Sequence, residues 1–106
     1  MLTKTSAIER AKQFLSECQK LPINIERAVL FGSASKDTMT EYSDIDIALF
    51  SKSFTDNILD NLDLIGLVNI RFPEIDAHTY NSKDYESDQG ILMDEIIKTG
   101  VEIQLK

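Results

Sequence analysis

The sequence predicts an α/β (α+β) fold, a mixed β-sheet flanked by helices. Three observations carry this. Apolar residues recur at helical spacing in three segments and at strand spacing in four, in the order helix, strand, strand, helix, strand, helix, strand. The first two strands follow one another directly, so they pair antiparallel or lie side by side, whereas helices separate the later ones. The chain has 106 residues, 42% hydrophobic and 27% charged, which suits a single domain (residues 1–106) with one hydrophobic core.

The elements follow in order. Ser6-x-x-Glu9 is a capping-box pattern, and Ile8, Ala11, Phe14, Leu15 and Cys18 recur behind it at helical spacing. A helix is expected over about residues 6–20, ended by Pro22. Ala28-Val29-Leu30-Phe31 is a short apolar run stopped by Gly32 and reads as a buried strand. Residues 32–43 are small and polar, a loop or short helix. Asp44 to Phe50 alternates, with Ile45, Ile47 and Leu49 on a buried face and Asp44, Asp46 and Ala48 on a functional or solvated one. Asp56 or Asn57 caps the next helix, whose inner side is expected to hold Ile58, Leu59, Leu62, Ile65, Val68 and Phe72. That helix is apolar on more than one face, which core packing or a partner surface would explain. After Pro73, Glu74 to Tyr80 alternates, with Ile75 and Ala77 opposite Asp76 and His78. Ser87 or Asp88 is expected to cap a last helix carrying Ile91, Leu92, Ile96 and Ile97, with Gly100 at its C-cap. Val101 to Leu105 closes as a strand.

Composition narrows the functional classes. The net charge is −7 and the 11 basic residues are scattered, so no Lys/Arg stripe exists for long nucleic acids. An acidic chain that holds an anionic nucleotide needs cations to mediate. The one cysteine, Cys18, permits no internal disulfide and reads as a small buried hydrophobe. Neither a signal peptide nor a membrane-length apolar run is visible, so a cytoplasmic location is the default expectation.

The chemistry concentrates in one constellation. Gly32-Ser33 is followed, ten residues later, by Asp44-Ile45-Asp46. Asp44 and Asp46 are two apart on a strand, so they leave the same face with Cα atoms about 7 Å apart. Carboxylates so spaced can bracket two metal ions about 3.5–4 Å apart. Mg²⁺ suits them, because it takes a few carboxylates together with waters and substrate phosphates. Gly32 allows close backbone approach to a ligand, the Ser33 hydroxyl can donate to a phosphate oxygen, and Lys36 can neutralise charge on a triphosphate tail. Asp76 has the phase of a third metal carboxylate, provided its strand neighbours Asp44–Phe50; it would also serve as general base. His78 shares that phase and reads as a half-exposed strand histidine near an acidic cluster. Tyr42, Tyr80 and Tyr85 read as packing or surface residues.

These residues resemble the signature of the polymerase β-type nucleotidyltransferase superfamily, and the short length is similar to its minimal nucleotidyltransferase branch. The resemblance runs over nearly the whole chain, from the leading helix to Ile96-Ile97-Lys98-Thr99-Gly100-Val101. It implies a nucleotidyltransferase-like fold, Gly32 and Ser33 on the triphosphate, Asp44 and Asp46 on Mg²⁺, and Asp76 at the third acidic position. It implies transfer of a nucleoside monophosphate, AMP from ATP, onto a hydroxyl, with release of pyrophosphate. It further implies a helical partner of the HEPN type, in which this chain is antitoxin to a toxin, with a tyrosine of that partner as one acceptor. A homo- or hetero-oligomer stays open. Such proteins often carry Arg after the Gly-Ser, where this chain has Ala34, Lys36 and Asp37. Lysine keeps the charge but loses the bidentate fork of arginine. That departure supports a rival reading, a degenerate module that neutralises its partner by contact alone; the full Asp44, Asp46, Asp76 set opposes it.

Overall fold

The computed structural model describes residues 4–32, 45–87 and 90–104. Helix α1 (Lys4–Cys18) leads, followed by strands β1 (Arg27–Phe31) and β2 (Ile45–Phe50), helix α2 (Ile58–Asn69) and strand β3 (Ile75–Tyr80). A short helix α3 (Asp84–Ser87), helix α4 (Ile91–Thr99) and strand β4 (Val101–Glu102) complete the chain. The four strands form one mixed sheet in the order β3-β2-β1-β4. β1 pairs antiparallel with β2 and β4, and β2 pairs parallel with β3 across the α2 crossover.

Strand alternation divides the core between the two faces of the sheet. On one face Leu30, Ile45, Ile47, Leu49 and Ile75 pack against α1 and α2 through Phe14, Ile65 and Val68. On the other, Val29, Phe31, Ala48 and Phe50 pack against Met93 and Ile96 of α4. The second face of β2 is therefore covered by α4 over Ala48 and Phe50, and only its Asp46 end resembles the open face expected. Burial pushes the Cys18 thiol up to about 12, so it is inert core.

Several local expectations change. α1 begins at Lys4, so Ser6 lies inside it rather than capping it. Asn57 caps α2, its side chain accepting from the backbone N–H groups of Leu59 and Asp60. Ile65, Val68 and Phe72 are buried as expected, but Ile58, Leu59 and Leu62 face outward, 70%, 72% and 45% exposed. The reason is Asn61. It is buried, accepts from Thr55 N–H at 2.9 Å, and donates to Thr55 C=O at 2.8 Å and Thr79 Oγ1 at 2.9 Å. A buried amide satisfied on all sides sets the helix phase, which an all-round apolar helix leaves open. The last helical segment splits into α3 and α4. Gly90, with no side-chain cap, precedes α4 in place of Ser87 or Asp88. Ile97 is partly exposed, and β4 ends at Glu102. Gly100 is the C-cap but in an extended conformation; a Cβ there would meet Val29 Cγ1 at 2.3 Å, so close packing against β1 demands glycine.

Two arginines tie α1 to the rest of its face. Arg10 pairs with Glu74, just ahead of β3, and lies 4.5 Å over the Phe72 ring. Arg71 reaches Glu17 at 2.8 Å.

Candidate active site

The register of the sheet builds the site. Phe31 of β1, Asp46 of β2 and Asp76 of β3 are Cα partners in one row across three strands. Alternation turns all three to the α4 face, just beyond the part that α4 covers. The condition attached to Asp76 is thus met: its strand is the parallel neighbour of β2, and the backbone ladder sets it directly beside Asp46. Direct neighbours in a sheet lie about 5 Å apart, close enough for two carboxylates to share one cation.

Gly32 follows Phe31 at the same end of β1 and adopts φ 72. A Cβ at this position would meet Asp46 Oδ2 at 2.6 Å. The glycine therefore has a double reason: the left-handed backbone that turns the chain out of β1, and the space that the Asp46 carboxylate occupies. The antiparallel β1–β2 pairing explains why a Gly and an Asp separated by a long connection meet, since the end of one strand is the start of the other.

His78 joins this cluster from the next inward-facing position of β3. It lies two residues beyond Asp76 on the same face of β3, opposite buried Ala48. Its Nε2 is 3.4 Å from Asp46 Oδ1 and 3.5 Å from Asp76 Oδ2. The Phe31 ring meets the imidazole edge-on, with centroids 5.1 Å apart. One ligand atom from each of Asp46, Asp76 and His78 lies within 4.8 Å of the others. The Asp46 and His78 side chains are half-buried and that of Asp76 is 58% exposed, so the cluster opens to solvent on the Asp76 side. The donor set, two carboxylates and an imidazole with room for waters or phosphate oxygens, fits a divalent cation. Sequence reasoning gave His78 little weight; its shared phase with Asp76 was the signal.

Among the expected site residues, the structure brings together Gly32, Asp46 and Asp76. Ser33, Lys36 and Asp44 lie outside the described residues, as do Ala34, Asp37 and Tyr42. Tyr80 stacks on Phe50 at 5.3 Å, and Tyr85 meets Phe50 edge-on and takes the Arg27 guanidinium at 3.9 Å from its ring centroid. Both tyrosines pack, as expected. No helix among the described residues is long and apolar enough to cross a membrane.

Comparison with known proteins follows the same lines. Residues 8–99 match the family model described as nucleotidyltransferase domain. No curated protein matches significantly. Among solved structures, a proposed nucleotidyltransferase from Sulfolobus solfataricus superposes with a TM-score of 0.66 at 21% identity, covering 93% of this chain and 80% of that one. A toxin–antitoxin complex with AMP-PNP gives 0.62 at 22%, covering 93% and 73%. The complex of tri-AMPylated Shewanella oneidensis HEPN toxin with MNT antitoxin gives 0.55 at 18%, covering 97% and 73%. At these identities the structural likeness speaks for the fold. The family model spans most of the sequence, both ends of the Gly32–Asp46 constellation included, and on that ground the chain belongs to the nucleotidyltransferase domain family.

Proposed function

We propose that this chain is a metal-dependent nucleotidyltransferase that moves AMP from ATP to a hydroxyl of a partner protein, as the antitoxin of a HEPN/MNT-type pair. The observation that carries this is the registered Asp46–Asp76 pair against Gly32. Asp46 and Asp76, with Asp44, would hold Mg²⁺, which when bound neutralises phosphate charge and polarises the reacting phosphoryl group. Gly32 leaves room for the carboxylate and for close approach of the triphosphate. Ser33 donates to a phosphate oxygen and Lys36 offsets its charge. The acceptor oxygen forms a bond to the α-phosphorus while the bond to the pyrophosphate oxygen breaks, and the hydroxyl proton passes to Asp76, the more exposed carboxylate. Orientation and charge neutralisation supply most of the acceleration.

The partner half rests on α2. Ile58, Leu59, Leu62, Leu67 and Ile70 form an exposed apolar stripe. Gly66 lies within it, and a Cβ there would meet no atom of the described residues within 4 Å. A helix glycine costs about 1 kcal/mol relative to Ala and has no packing reason here, which suits close approach of a partner backbone. Asp56, Asp60 and Asp63 are exposed on or beside the same helix, Asp63 among the apolar residues, and no Lys or Arg occurs between Lys52 and Arg71. Acidic faces repel each other in a symmetric pair of copies, so the fitting occupant is an amphipathic helix of a different protein that carries Lys or Arg. Two structural neighbours are toxin–antitoxin complexes, one of them with an AMPylated toxin.

The test incubates the chain with labelled ATP, Mg²⁺ and the product of the neighbouring gene, in parallel with Asp46→Asn. Label on the neighbour that disappears with Asp46→Asn supports transfer. No label, with neutralisation of the neighbour unchanged by Asp46→Asn, sinks it and leaves the contact-only module favoured by Ala34, Lys36 and Asp37.

A further inference from the structure

We infer that His78 is itself a metal ligand, and that Asp46, Asp76 and His78 form a mixed nitrogen–oxygen site selecting a divalent transition-metal ion, Mn²⁺ or Zn²⁺, over Mg²⁺. The inference rests on the reading of Asp46 and Asp76 as metal carboxylates and adds a donor that changes which ion they prefer.

The distances carry it. An N–H···O bond has its heavy atoms about 2.7–3.2 Å apart. His78 Nε2 makes one long contact of hydrogen-bond type to Asp46 Oδ1 at 3.4 Å and stands 3.5 Å from Asp76 Oδ2, beyond that range for both. One ring nitrogen has one use to offer, a single N–H or a single lone pair, and here two carboxylate oxygens lie within 3.5 Å of it. Two near-equal separations are what one cation between the three groups requires.

The surroundings keep the ring in that position. Ala48 is the cross-strand neighbour of His78 and its small side chain lets the imidazole lean toward the Asp46–Asp76 row. The Phe31 ring closes one side. A packed wall plus a short lever from the sheet preorganises the nitrogen rather than leaving it to solvent. Imidazole is a poor ligand for Mg²⁺, which takes oxygen, and a good one for Zn²⁺ and its neighbours in the first transition row. Phosphate oxygens of a bound nucleotide would complete the shell, so a transition-metal ion at this position is compatible with nucleotide chemistry.

The test measures metal binding with no nucleotide present. Calorimetric titration of the full chain with Zn²⁺, Mn²⁺ and Mg²⁺ is compared with His78→Ala and His78→Gln. Loss of the imidazole is expected to weaken Zn²⁺ and Mn²⁺ about 10–100-fold, the scale of a metal-site partner's removal, and to change Mg²⁺ less than about threefold, since Mg²⁺ relies on oxygen ligands. In the Mn²⁺-loaded wild type, pulsed electron paramagnetic resonance is expected to show coupling to one imidazole nitrogen, a reading that needs no variant to fold. Absence of that coupling, or equal weakening of all three ions by His78→Ala, overturns the inference. Nitrogen coupling without AMP transfer by any loaded form overturns the proposed function and leaves the site standing. Transfer with Mg²⁺ and no nitrogen coupling does the reverse.

Discussion

Gly32→Ala is the sharpest perturbation of the site, because two costs meet at one atom. The position has φ 72, where an L-residue with a Cβ costs about 1–2 kcal/mol. The added Cβ would also stand 2.6 Å from Asp46 Oδ2. Relief requires a shift of roughly half an ångström or more in the carboxylate or the turn, and such overpacking costs about 1–3 kcal/mol. The total is about 2–5 kcal/mol. Unfolding entropy of about 2.1 cal/mol/K per residue gives a chain of 106 residues about 0.22 kcal/mol/K. The lower bound therefore lowers Tm by about 9 °C. Gly66→Ala is the internal control. It lies in a helix, its Cβ would meet no described atom within 4 Å, and it should gain about 0.4–1 kcal/mol, or about 2–5 °C. Thermal melts of the two variants by circular dichroism should move in opposite directions. Gly32→Ala should also weaken Mn²⁺ binding, because the displaced carboxylate is a member of the proposed metal cluster. A Gly32→Ala melt within about 2 °C of wild type, or an equal fall in Gly66→Ala, would refute the reasoning.

Other outcomes follow from the same geometry. Asn61→Ala strips partners from Thr55 and Thr79 and leaves a hole under α2, so chemical denaturation should show a loss of about 2 kcal/mol or more. Acid should loosen the α1 face. Burial works to raise the Glu74 carboxyl, but its Arg10 bond and its own backbone bond hold it below the ordinary 4.5. The Glu17 carboxyl is lowered by its bonds to Lys20 and Arg71. Depressed folded values mean that the unfolded chain binds more protons in this range, so the stabilisation is full above the ordinary value of 4.5 and is lost as pH falls through the folded values. Glu74→Gln should flatten the Tm-against-pH curve below that point. On α2, Leu62→Asp and Leu67→Asp should leave stability within about 0.5 kcal/mol, since both side chains are exposed. Co-purification with the partner, measured by its dissociation rate, should nonetheless fall at least about tenfold, as it does when a buried interface anchor is lost.

The sequence disclosed the grouping of Asp46, Asp76 and His78 better than it disclosed the helices. Alternation along β2 and β3 is a local property, so it put Asp46, Asp76 and His78 on common faces before any pairing was known. That β2 and β3 are neighbours is non-local, and the α2 crossover between them decides it. The same limit applies to α2 itself. Its apolar residues circle the helix, and the burial of Asn61 depends on Thr55 and Thr79, which sequence spacing does not connect to it. The Ser6 capping box failed for a related reason: α1 gains enough from burying Ala7, Ala11 and Phe14 to extend a turn past a local stop signal. Gly100 was placed correctly at a helix end, but for a different cause, contact with Val29 rather than a left-handed cap.

The acidic cluster and the outer stripe of α2 lie on opposite sides of one sheet, and β3, the strand between them, is its edge. On the proposed function, a partner gripped along α2 has its body behind the Asp46–Asp76 pair. The hydroxyl it presents must travel around the β3 margin, past the helix diameter of about 10 Å and then the sheet itself. A path of about 15 Å needs about five extended residues. On this docking, the acceptor is carried on a tether rather than on the gripped surface. A partner trimmed of that tether would bind in full and accept nothing.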